Sequence, residues 1–250
     1  MVQQENHVRL HWLLIHCLGA LAGTTISVTA TENIDHRARV DISAYPWSSV
    51  GKIYNSTGGA CTGSLVGQNK VLTAAHCIFN ARTRRFIRPE LIHFLLGYMG
   101  GRYRANVIIE HYEIGPGYDP AAAVKISAAD WAVLTISTSL GEEFRPLDLA
   151  HAPLVKNAPV MLPGFAQDHA LVVTVDTDCH IVGIYEGGSI IVSDCVALRG
   201  DSGAPIIAAD ADGNFHVIGV QTAVAQIGGV PRSIAVAATS PGLYNAVGRH

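Results

Sequence analysis

Apolar residues in this chain gather in short runs rich in branched side chains, and almost nowhere at helical spacing. Ser49 to Tyr54, Lys70 to Thr73, Leu91 to Tyr98, Arg104 to His111 and Trp131 to Ile136 each read as a strand bounded by glycine or polar turns. A second set follows a proline-bearing connection around Arg145 to Pro159: Leu171 to Val175, His180 to Tyr185, Ser189 to Val192, Pro205 to Ala208 and Val217 to Thr222. Helical pattern is confined to a turn after Ala74 and to the C-terminal residues. Such a chain is expected to be all-β, with two antiparallel barrels in one unit.

Composition bounds the rest. With 250 residues, 49% hydrophobic and only 15% charged, the chain can bury a sizeable core and is too apolar to be disordered. A formal net charge of -3 without blocks of like charge gives no reason to expect nucleic acid or an anionic membrane as partner. Leu10 to Ala22 is mostly apolar, follows Arg9 and leads into small residues, which reads as a secretory signal over residues 1–30, cleaved after Ala22 or Ala30. The run is too short to span a bilayer. A buried helix or an uncleaved anchor is the other reading, since His11, His16 and Cys17 interrupt it. Removal of the signal takes Cys17 with it and leaves Cys61, Cys77, Cys179 and Cys195, an even number in a chain that reads as secreted or periplasmic. Disulfides are therefore expected, with three pairings open. No Cys-x-x-Cys or His-Glu-x-x-His spacing occurs, so neither a metal nor another cofactor is expected.

Two further motifs read as plain structure. Asp210-Ala211-Asp212-Gly213-Asn214 has its glycine too early for a calcium-binding loop and reads as a hairpin turn. Asn55-Ser56-Thr57 is a formal glycosylation sequon without functional weight.

The chemistry is carried elsewhere. Gly200-Asp201-Ser202-Gly203-Ala204-Pro205 sets a serine among glycines, which let the backbone turn tightly enough to aim N–H groups at a developing oxyanion. A serine hydroxyl needs a base to become a nucleophile, and the base needs an orienting group. His76 stands at the end of Val71-Leu72-Thr73-Ala74-Ala75-His76-Cys77, and Asp130 opens the apolar run Asp130-Trp131-Ala132-Val133-Leu134. The order His, Asp, Ser excludes the α/β-hydrolase order (Ser, acid, His) and the subtilisin order (Asp, His, Ser).

With these blocks, together with Tyr45-Pro46-Trp47 and Cys61-Thr62-Gly63-Ser64-Leu65, the chain resembles the trypsin-like serine peptidases. The segment from Cys179 to Ser202 is most similar to their bacterial glutamyl-endopeptidase-like branch. The resemblance implies a peptidase domain over residues 40–250, with six-stranded-type barrels at about 40–140 and 156–245 and the active site in the cleft between them. It implies His76 as general base and acid, Asp130 as its orienting carboxylate, Ser202 as nucleophile, and the N–H groups of Gly200 and Ser202 as the oxyanion hole. It also implies bridges Cys61–Cys77 and Cys179–Cys195, each closing a loop of a size worth about 3 kcal/mol in the chain-entropy model. The expected function is secreted endopeptidase action on protein or peptide substrates through an acyl-enzyme. A silent protease-fold binding protein and an esterase-type acyl hydrolase are the alternatives.

The same resemblance places three residues around the pocket for the side chain before the scissile bond. Val196 falls where Arg/Lys-specific enzymes carry an aspartate, so a buried cation would lack its partner. Gln221 falls where glutamate-specific relatives use a histidine, and it brings no positive charge. Val224 stands at the mouth and narrows it. A small or medium uncharged side chain is the expected preference. Residues 31–39 form a short propeptide ending at Arg39-Val40, and Asp201 is either the partner of the new amino terminus or a loop anchor.

Overall fold

The computed structural model describes residues 35–122, 126–141 and 143–248, of which Asp35 onward belongs to one compact unit. The signal read over residues 1–30, and residues 31–34 of the propeptide, lie outside the described residues.

Six strands close the first barrel: β1 (Val50–Asn55), β2 (Ala60–Leu65), β3 (Lys70–Thr73), β4 (Ile92–Leu96), β5 (Ala105–Ile114) and β6 (Ala132–Ile136). Its closed order is β1-β2-β3-β6-β5-β4, with antiparallel neighbours throughout. Six more form the second: β7 (Pro159–Gly164), β8 (Thr174–Tyr185), β9 (Ile190–Ser193), β10 (Pro205–Ala209), β11 (Phe215–Ile227) and β12 (Val230–Ala237). The path β8-β7-β10-β11-β12-β9 is closed by pairing of β8 with β9. The all-β, two-barrel expectation matches this architecture. The C-terminal helix α1 (Pro241–Gly248) buries Leu243 and Ala246 against Trp131 and its neighbours.

Strand β6 shows why the barrels meet where they do. All five of its residues are buried, which an alternating side-chain direction allows only if both faces are covered. Ala132, Leu134 and Ile136 fill the first barrel, while Val133 and Trp131 join Val217, Val220 and Val236 of the second. On β3, Val71 and Leu72 divide in the same way. Residues at the ends of β3 and β6 therefore stand at the seam between barrels.

The strand expectations need four corrections. Leu171 to Val175 and His180 to Tyr185 are not separate strands: Leu171 is exposed, and β8 runs unbroken through the polar stretch between them. Asp176 in that stretch is buried and accepts N–H bonds from Asp178 (3.2 Å) and Val196 (2.8 Å), so its polar character is absorbed by the sheet. Strands β2, β7 and β12 were not anticipated, because β2 is built from small polar residues, β7 carries Pro159 and Pro163, and β12 begins Val230-Pro231-Arg232. The Asp210–Asn214 segment forms the expected hairpin turn, with the Asp210 N–H donating to the Asn214 carbonyl at 2.9 Å. Asn55 of the sequon is buried and its Oδ1 accepts bonds from Thr57 and Gly59.

Candidate active site

His76 lies in a single turn of 3₁₀ helix, Ala75–Ile78, directly after β3. Ala75, Cys77 and Ile78 are buried, which turns the histidine outward with 33% of its side chain exposed. Cys77 is bonded to Cys61 on β2, tying this turn to the barrel wall. Asp130 sits one residue ahead of the Trp131 and β6 run and is almost fully buried. Its Oδ2 stands 2.8 Å from His76 Nδ1, and its Oδ1 accepts the His76 backbone N–H at 3.0 Å. A carboxylate in this place selects the tautomer with the proton on Nδ1, which leaves Nε2 free to accept one.

Ser202 comes from the second barrel, in the turn ahead of β10. Two glycines shape that turn. Gly200 has φ +101°, and a Cβ there would lie 2.3 Å from the Phe165 carbonyl oxygen; Gly203 has φ +81°, and a Cβ would meet Thr73 Oγ1 at 2.1 Å. Both conformation and space therefore require glycine. Gly200, Ser202 and His76 line one cavity of about 590 Å³ together with Phe165 and Gln167. A second cavity of about 370 Å³ adjoins the other side of His76, bounded by Asp130, Tyr118, Thr222 and Ala223. Burial raises the Tyr118 hydroxyl pKa, reinforced by the nearby Asp130 charge.

Asp201, beside Ser202, is buried behind the turn. Its Oδ2 accepts the Leu198 N–H at 2.9 Å, and the carboxyl packs onto the backbone at Gly164, where no Cβ would fit. Burial pushes its pKa up to about 7, against the opposing pull of the Leu198 N–H and the more distant Arg37. Arg37 itself bonds Asp35 and Asp168, and its guanidinium holds Asp168 down at about 2.

The three residues expected around the pocket do not line either cavity beside His76. Val196 is half-buried and Val224 is 48% exposed. Gln221 is buried: its carbonyl accepts the Gly203 N–H at 2.7 Å, its Nε2 donates to the Ala223 carbonyl at 2.8 Å, and its Oε1 accepts the Ser233 hydroxyl. The expected bridges Cys61–Cys77 and Cys179–Cys195 are both formed. Although Cys61, His76 and Cys77 lie close enough to share an ion, the two sulfurs are spent on each other and supply no thiolate.

Sequence reasoning missed the segment Phe165 to Ala170, of which Phe165, Gln167 and Ala170 line the same cavity as His76. Its signal was weak, being a short polar stretch between strands with one aromatic residue at its start.

A fold of two closed barrels with histidine, aspartate and serine converging at their seam is the chymotrypsin fold, the architecture of serine peptidases. The chain belongs to the trypsin family, whose model matches residues 34–246. Among solved structures it resembles a Glu endopeptidase determined in complex with MPD, at 19% identity and a TM-score of 0.71, covering 86% of this chain and 95% of that one. No curated protein sequence shows a significant match.

Proposed function

We propose that the protein is a secreted serine endopeptidase in which Ser202 is the nucleophile, His76 the general base and acid, and Asp130 the group that orients His76. The observation that carries this reading is the paired contact of Asp130 with the His76 ring and backbone, beside a cavity shared with Ser202. As Ser202 Oγ attacks a peptide carbonyl, its proton passes to His76 Nε2, and the carbonyl oxygen takes the negative charge against the N–H groups of Gly200 and Ser202. The C–N bond then breaks as His76 protonates the leaving amine. Water attacks the acyl-enzyme through the same histidine, releasing the acid and restoring Ser202.

The substrate class is protein or peptide. The preference we propose before the scissile bond is a small or medium uncharged side chain; it rests on the family resemblance at Val196 and Gln221, neither of which brings a charge, with the Gln221 amide spent on Ser233 and Ala223. For the same reasons the glutamate preference in the structural relative's name is not carried over. Export is supported by two disulfides, and no helix among the described residues is long and apolar enough to cross a membrane. Arg39 is exposed, so Arg39–Val40 is the proposed processing bond. Asp201 is read as an anchor of the Leu198–Ser202 turn, supported by its bond to Leu198.

The test is casein cleavage by the secreted wild type and by Ser202→Ala, with mass spectrometry of the mature amino terminus and of the cleaved bonds. Cleavage by the wild type alone supports the peptidase reading, and the fragments report the pocket. An oxidised, mature wild type that cuts nothing contradicts it and favours a binding protein.

A further inference from the structure

The turn that carries Gly200 and Ser202 belongs to the second barrel, yet the groups that fix its peptide planes lead back to two neighbouring strands of the first. We propose that Thr62, with its cross-strand partner Lys52, is a positioning residue that sets the direction of the oxyanion-binding N–H groups; this rests on the peptidase reading of the same site.

Lys52 on β1 lies directly opposite Thr62 on β2, so their side chains leave the same face of the sheet. Both are buried, Thr62 completely. The Thr62 hydroxyl donates to the Gly200 carbonyl at 2.9 Å and accepts the Phe165 N–H at 3.0 Å. Its backbone N–H donates to the Ser202 carbonyl at 2.9 Å. One residue thus holds the peptide planes that follow Gly200 and Ser202.

The plane that precedes Gly200 is held from the other side. The Gln167 N–H donates to the Arg199 carbonyl at 2.6 Å. In a trans peptide the carbonyl and the next N–H point in opposite directions, so this bond aims the Gly200 N–H away from Gln167. Gln167 is in turn bracketed by the two first-barrel residues. Thr62 fixes the backbone at Phe165, and Lys52 Nζ donates to the Ala170 carbonyl at 2.8 Å while lying over the rings of Tyr98 (4.7 Å) and Phe165 (5.9 Å). A hydroxyl that accepts and donates at once is what the site needs. Valine has the shape of threonine but would leave the buried Phe165 N–H unpaired and release the Gly200 carbonyl.

The experiment compares wild type, Thr62→Val, Thr62→Ser and Lys52→Met on a peptide amide substrate, with inhibition by a peptide aldehyde. Addition of Ser202 Oγ to the aldehyde carbon, with its proton passing to His76, places an oxyanion where the reaction places one. Thr62→Val is expected to lower kcat on the order of 10- to 100-fold, with KM within about twofold, and to weaken the aldehyde by the same factor as kcat/KM. Thr62→Ser restores both. Lys52→Met shows the same signature at smaller size. Full kcat in folded Thr62→Val, a fall in kcat with unchanged aldehyde affinity, or a Thr62→Ser as impaired as Thr62→Val overturns the proposal. Should Thr62→Val fail to accumulate as folded protein, Lys52→Met decides: full kcat and aldehyde affinity overturn it. A wild type without peptidase activity removes the underlying reading and the proposal with it, whereas an active wild type beside an unimpaired variant removes the proposal alone.

Discussion

Two aspartates lie buried beside the candidate site and are treated in opposite ways. Asp130 uses both carboxylate oxygens on one histidine, accepting the His76 backbone N–H and the Nδ1 proton. Asp201 is buried to a similar degree but accepts a single N–H, from Leu198, and burial moves its pKa to about 7. Burial alone therefore does not define a catalytic carboxylate. What separates the two is the partner: a titratable ring open to the cleft for Asp130, and a turn of backbone for Asp201. In the proposed mechanism the first arrangement organises a proton transfer, while the second holds the turn beside Ser202.

The largest effect is expected at the first corner. Asp130→Asn keeps the volume but presents the wrong hydrogen-bonding group to Nδ1, and the equivalent change in the prototypical Ser-His-Asp triad lowers turnover about 10⁴-fold. A steady-state assay on a peptide amide should show kcat falling on that order with KM little changed, and a fall below about tenfold would mean that His76 does not depend on Asp130.

The second corner gives a stability effect with a definite sign. Folded Asp201 keeps its proton up to about pH 7, while in the unfolded chain an aspartate ionises near its ordinary value of 3.8. Between those limits the folded state binds the extra proton, so stability falls as pH rises from about 4 to about 7. The span is on the order of a few kcal/mol. Asp201→Asn should flatten this fall when Tm is followed against pH. Parallel curves for the two proteins would show that Asp201 ionises normally in the fold.

Opening Cys61–Cys77, which joins residues 16 apart in sequence, tests whether the His76 corner owes its geometry to the barrel wall. The paired change to alanine is expected to lower stability by about 3 kcal/mol, measured by urea unfolding. The smallest effect belongs to Arg37→Ala in the unprocessed chain, which breaks the ion pairs with the half-exposed Asp35 and Asp168. Its cost to the unprocessed chain is expected on the order of 1 kcal/mol, with kcat of the processed enzyme, which has lost residue 37, unchanged. A large loss of activity would mean that the chain is not cleaved at Arg39–Val40 and that Arg37 stays in the active protein.

How much of this was legible in the residues follows from what each strand buries. Strands such as β6 declare themselves because covering both faces demands a continuous apolar run, and β5 because Val107 and Ile109 alternate with exposed neighbours. Strand β2 stayed hidden because Cys61 and Thr62 face partners that want sulfur or hydroxyl, and its polarity is what lets it hold the turn that carries Ser202. The division of β8 into two was an error of the same kind, since Asp176 looks like a turn residue until Val196 and Asp178 supply its bonds. At the site, His76, Asp130, Ser202 and the glycines could be located from their local motifs. The Phe165–Ala170 segment and Lys52 could not, because their meaning lies in contacts between distant positions, 103 apart for Phe165 with Thr62 and 118 apart for Lys52 with Ala170.

The most direct measurement of the central claim is mass spectrometry of the protein after treatment with an organophosphonate. The account predicts one covalent adduct, mapped to Ser202, formed rapidly by the wild type and slowed by orders of magnitude in Asp130→Asn. An unlabelled wild type, or an adduct on another residue, would contradict it.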